Sequence, residues 1–72
     1  MTNNNEKDKP SITYLRIKHV LERVSLSRST LYNLIAQGAF PRPVPLSARA
    51  VCWLDQDIDT WMLERLAARD RA

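Results

Sequence analysis

Leu26-Ser27-Arg28-Ser29-Thr30-Leu31-Tyr32-Asn33-Leu34-Ile35 holds a helix start, an apolar stripe and a polar leading turn within one short stretch. The Ser27 hydroxyl can accept a hydrogen bond from the otherwise unpaired amide of Ser29 or Thr30, and Leu26 can pack on Leu31 as a hydrophobic staple. A helix starting at Arg28 follows. Leu31, Leu34 and Ile35 fall on one side of a 3.6-residue repeat, and Arg28, Ser29, Tyr32 and Asn33 face outward. Gly38 offers a left-handed stop and Pro41 forbids resumption, which predicts a helix over 28–37. Burying the apolar side presents a helix start crowded with hydroxyls, one arginine and free amides that favour a phosphate.

The flanking segments place that helix in a fold. Ile17, Val20, Leu21 and Val24 recur at i, i+3, i+4 and i+7, an amphipathic helix of about two turns. Only Ser25 and Leu26 then separate it from the Ser27 cap, and so short a turn makes an angled pair of the helix-turn-helix kind. Beyond Gly38, Phe40-Pro41-Arg42-Pro43-Val44-Pro45-Leu46 cannot be helical, because three alternate prolines impose an extended course and remove three donors. Such a strand belongs at a sheet edge. Ser47-Ala48-Arg49 can turn the chain, and Val51, Trp53 and Leu54 have the composition of a returning strand. Asp55 is a good N-cap for a last helix of about four turns with Ile58, Trp61, Met62 and Leu66 on one face. Its acids cluster early (Asp55, Asp57, Asp59) and its arginines late (Arg65, Arg69, Arg71), matching the helix dipole at both ends. The fold class that results is mainly α with a small β-hairpin. It is a winged helix-turn-helix over residues 12–69, three helices plus a two-stranded wing at 42–54.

The chain of 72 residues is one small domain, and residues 1–11, polar and without apolar periodicity, are predicted to be a disordered tail. A folded part of roughly 60 residues buries only about 60% of its unfolded surface, which leaves no room for a deep active-site cleft. Cys52, within Ala50-Val51-Cys52-Trp53-Leu54, reads as a small buried hydrophobe. No apolar run approaches the length of about 18 residues that spans a bilayer, and Met1-Thr2-Asn3-Asn4-Asn5 lacks a signal-peptide pattern, so a cytoplasmic location without a membrane partner is expected. His19 is the only histidine and Cys52 the only cysteine, too few for a zinc site. Asp55-x-Asp57-x-Asp59 starts like a calcium loop, but Thr60 stands where that loop needs glycine and Leu66 where it needs glutamate. No nucleophile and base are paired by the sequence, and a single glycine builds no phosphate loop. Neither enzymatic activity, nor a metal, nor a cofactor is expected.

The net charge of +3 is unevenly distributed. Residues 10–54 carry Arg16, Lys18, Arg23, Arg28, Arg42 and Arg49 against Glu22 alone, a net of +5. Residues 55–72 carry three arginines against five acids, a net of −2, and residues 1–9 balance. The basic charge thus belongs to the body that contains the capped helix, which suits a polyanionic partner.

The helix, the turn, Ser27-Arg28-Ser29-Thr30-Leu31-Tyr32, then Gly38-Ala39-Phe40-Pro41-Arg42-Pro43-Val44, an arginine-bearing hairpin and an aspartate-capped helix with a tryptophan together resemble the AlpA-like family. The resemblance covers about Tyr14 to Ala68. It implies a small winged-helix protein related to phage excisionases and more distantly to MerR-type DNA-binding domains. Its implied role is a transcriptional regulator of a prophage or mobile element, or a directionality factor for a site-specific integrase. Two positions depart from the family pattern. Ser25 stands where a glycine usually precedes the Leu-Ser of the turn, and Ser47-Ala48 precede Arg49 where the wing usually has a glycine-containing turn.

In a winged helix the second helix enters the major groove of double-stranded DNA, and the wing rests on the adjacent backbone or minor groove. Arg28 can then pair with guanine and Asn33 with adenine, while Ser27, Ser29, Thr30 and Tyr32 suit phosphate oxygens. Lys18 on the first helix and Arg42 and Arg49 on the wing add phosphate or minor-groove contacts. Few base-reading groups imply that several copies bind together. The rival class is a protein-interaction module that docks Met62, Leu63 and Leu66 of the last helix on a partner such as integrase or RNA polymerase. RNA is the poorer match, since Phe40, Trp53 and Trp61 read as core.

Overall fold

The computed structural model describes residues 12–71. The tail over 1–11 lies outside them. Strand β1 (Tyr14–Leu15) leads into helix α1 (Ile17–Val24), then α2 (Arg28–Ala36), the hairpin β2 (Val44–Ser47) and β3 (Ala50–Leu54), and finally α3 (Asp55–Arg71). These form a small winged-helix-like fold. Instead of a bare two-stranded wing, the sheet has three antiparallel strands in the order β1-β3-β2. Tyr14 faces Leu54 and Leu15 faces Trp53, and the Asp55 amide donates to the Thr13 carbonyl at 2.9 Å. The short apolar and β-branched run Ile12-Thr13-Tyr14-Leu15 is the signal for this added strand. β2 takes an edge, as Pro45 within it requires.

Val20 of α1, Leu31 of α2, Phe40, Trp53 of β3 and Ile58 of α3 form the buried core, and Ile17, Leu21, Val24, Leu26, Leu34 and Ile35 pack around it. Every element after β1 except the edge strand therefore contributes a fully or almost fully buried side chain. Cys52 is buried beside Trp53. On α3 the apolar face is shorter than the sequence spacing implies. Ile58 is buried and Trp61 and Met62 half-buried, but Leu66 is 46% exposed, because α3 runs past the body of the domain after Met62.

The turn between the helices closes as the spacing requires, at a local cost. Ser25 takes φ 58°, ψ 40°, the left-handed conformation, and its amide donates to the Leu21 carbonyl. Among the described residues it is the only non-glycine with positive φ, and the side chain meets steric resistance there that a glycine does not.

Candidate nucleic-acid interface

The start of α2 is set by local chemistry. Ser27 is extended at φ −77°, ψ 159°, and its Oγ accepts from the Thr30 amide at 3.2 Å. The same hydroxyl donates to Thr30 Oγ1 at 2.9 Å and lies 3.4 Å from Ser29 Oγ. Three candidate side chains thus form one exposed hydroxyl cluster over the free amides of the first turn. Leu26 and Leu31 both turn inward, the arrangement of a staple. Gln37 caps the C-terminus, one residue short of the predicted span, and Gly38 follows at φ 74°.

Packing Leu31, Leu34 and Ile35 leaves Arg28, Ser29, Thr30, Tyr32 and Asn33 exposed along one helix face. Tyr32 is 45% exposed. Lys18 is exposed in the first turn of α1, Arg42 is exposed ahead of β2, and Arg49 is exposed at the tip of the β2–β3 hairpin. α2 thus carries six candidates, its capping Ser27 included, and the other three occupy separate elements.

The arginines divide into two kinds. Arg23, at the end of α1, reaches across to α3 and bonds Asp55 Oδ1 at 2.5 Å and Asp59 Oδ1 at 2.6 Å. The hydrogen bond to Asp59 raises the guanidinium's pKa against the opposing effect of desolvation, and the charges of both aspartates add to the rise. Arg65 lies over the Trp61 ring at 5.7 Å, and Arg69 pairs with Asp70. Among the described residues Lys18, Arg28, Arg42 and Arg49 join no ion pair. The basic charge of the body is thus smaller than the sequence sum, since Arg23 is committed to the acids of α3. Asp55 correspondingly is the first residue of α3 and a partner of Arg23.

The segment between α2 and the wing is fastened by two indoles that composition identifies only as core. Trp53 Nε1 donates to the Pro41 carbonyl at 3.0 Å, and Trp61 Nε1 donates to the Ala39 carbonyl at 2.8 Å. Phe40, between those carbonyls, meets the Trp61 ring edge-on with centroids 4.8 Å apart. Prolines supply no amide to anchor such a segment, so its carbonyls are held from outside. A groove of about 660 Å³ beside this segment is lined by Arg42 and Arg65 together with Asp57 and Glu64. Its mixed charge distinguishes it from the α2 face, which carries no acid.

At the wing tip Ser47 Oγ accepts from the Arg49 amide at 3.4 Å, and neither Ala48 nor Arg49 takes a positive φ. Two-residue hairpin turns that match strand twist need positive φ. The mismatch is absorbed by a bulge: Pro45 pairs with Val51 and Ser47 with Ala50, which leaves Leu46 as the extra residue.

The residues 13–66 match the family model described as prophage CP4-57 regulatory protein (AlpA). The chain is 43% identical to protein ORF88 of Enterobacteria phage P4 over 65 residues, covering 86% of this chain and 74% of that protein. It is 23% identical to the DNA-binding transcriptional activator AlpA of Escherichia coli K12 over 64 residues, covering 81% of this chain and 91% of that one. No helix among the described residues is long and apolar enough to cross a membrane.

Proposed function

The chain belongs to the AlpA family of prophage regulatory proteins, and we propose on that premise that it is a DNA-binding transcriptional regulator of phage origin that acts on double-stranded DNA in the cytoplasm. Residues 12–69 are the binding domain. α2 lies in the major groove with its N-terminus leading, Arg28 reads guanine, and Asn33 reads adenine. Ser27, Ser29, Thr30 and Tyr32 hold phosphates, Lys18 and Arg42 add backbone contacts, and Arg49 brings the wing to the adjacent backbone or minor groove. Several copies load side by side, since each reads only a few base pairs. The protein works by occupancy and not by catalysis.

One observation carries this reading: among the described residues the exposed α2 face and the wing offer cations without acidic partners, and no Asp or Glu occurs from Arg23 to Leu54. The test is selection of duplexes from a random pool, followed by titration at several salt concentrations. Selective binding that weakens steeply with salt supports the reading, and absent or salt-independent binding ends it.

A second reading rests on a separate observation. Leu63 is 65% exposed and Leu66 46% exposed on α3, an apolar pair available to a protein partner. Capture of integrase or RNA polymerase from nuclease-treated lysate, lost in Leu63→Glu and kept in Arg28→Ala, supports docking through α3.

A further inference from the structure

The bulge of β2 falls on an apolar side chain that is exposed near the tip of a basic wing. Leu46 is the unpaired residue between Pro45↔Val51 and Ser47↔Ala50, and it is 49% exposed. It belongs neither to the buried core nor to the apolar side chains packed around that core. Val51, across the hairpin, is 37% exposed and likewise outside it. A surface leucine alone is ordinary. This one is held by a bulge, and bulges re-aim side chains at functional edges. Arg49 follows it in the turn and Arg42 precedes its strand, both exposed and without an ion pair among the described residues.

We propose that Leu46 is a wedge: with Arg49 drawing the wing tip into the minor groove, its side chain enters between base pairs, unstacks one step and bends the duplex. Apolar wedges act in this way where a cationic element has already brought them to the minor groove. The charge around Leu46 selects a polyanion as occupant, and the ladder pairs on both sides of the bulge, Pro45↔Val51 and Ser47↔Ala50, hold the backbone that presents it. The wedge adds sequence preference without base hydrogen bonds, since flexible pyrimidine–purine steps unstack at lower cost. The inference rests on the DNA-binding reading above, and its test separates the two.

The probe is a duplex enriched from a random pool by the wild-type chain, labelled at both ends with a donor–acceptor pair. Wild type raises energy transfer on binding. Leu46→Ser, an exposed substitution that leaves the core intact, binds within about tenfold of wild type and returns transfer to that of the free duplex. Leu46→Phe, a larger wedge, restores or exceeds the wild-type bend. Unchanged bending by bound Leu46→Ser overturns the wedge, as does a wild-type complex in which the duplex stays straight. A wild-type chain that enriches no duplex overturns the DNA reading and the wedge with it.

Discussion

Arg28 and Arg23 lie five positions apart and do opposite things. Arg23 spans from α1 to α3 and satisfies two aspartates, so its charge is consumed in holding the third helix against the first. Arg28 stands at the exposed start of α2 with no ion pair among the described residues. The same contrast separates Arg65 and Arg69, engaged with Trp61 and Asp70, from Arg42 and Arg49 on the wing. Net charge therefore overstates what a ligand meets, and the arginines that count are those the scaffold does not use.

The strongest way to break this contrast is Arg28→Ala. Loss of the proposed bidentate guanine contact should cost about 1–3 kcal/mol of discrimination between the selected duplex and one mutated at that base. The melting temperature should stay at the wild-type value, because Arg28 makes no ion pair or side-chain hydrogen bond among the described residues. A competition titration with both duplexes, beside a thermal melt, checks both halves.

Ser27→Ala comes next and blurs the division on purpose, since this hydroxyl both caps the helix and heads the proposed phosphate contacts. Removing the cap costs about 0.5–2 kcal/mol of stability, read from a denaturant midpoint. Ser27→Asp restores the cap but adds a negative charge. It should recover stability and weaken DNA binding further.

Arg23→Ala is expected to lower stability by about 0.2–1 kcal/mol, the range for solvent-exposed ion pairs, and less at high salt. The raised pKa of Arg23 sets the pH window. With Asp55 and Asp59 ionised, its contribution is complete at pH values below the ordinary guanidinium range and is lost as pH rises through the still higher folded value. Between pH 6 and 9, taken as roughly the working range, the Arg23→Ala deficit should not change on account of Arg23 itself; melts across that range test this.

The smallest expected change has the opposite sign. Ser25→Gly relieves the left-handed serine at φ 58° and stabilises by less than about 1 kcal/mol, because glycine also loosens the unfolded chain. An unfolding midpoint shifted upward, with DNA affinity unaltered, places the strain in the scaffold and away from the binding face.

How much of this was legible in the sequence follows from how local each feature is. The Ser27 cap, the α2 stripe and the Gly38 stop are set by neighbours within a turn, and the sequence states them, whereas Ser25 stands out only against the family's glycine and its left-handed φ is a finding of the structure. Strand β1 escapes a reading of the sequence because the run Ile12-Thr13-Tyr14-Leu15 is too short to show a period, and its pairing depends on β3, about forty positions later. Arg23 counts toward the basic surface in the sequence because its partners, Asp55 and Asp59, meet it only after the chain folds back. Trp53 and Trp61 read as core, but their indole hydrogen bonds to Pro41 and Ala39 depend on where a proline-rich segment comes to rest. The absence of glycine at Ser47-Ala48-Arg49 was visible. That a bulge at Leu46 would compensate for it was not.

The most direct test of the division between committed and free arginines is the salt dependence of binding to the selected duplex, measured for wild type, Arg49→Ala and Arg23→Ala. Arg49→Ala should reduce the slope of log K against log salt by about one, the effect of one lost phosphate contact, and Arg23→Ala should leave it at the wild-type value. A slope reduced equally by both substitutions, or by Arg23→Ala alone, would contradict the account.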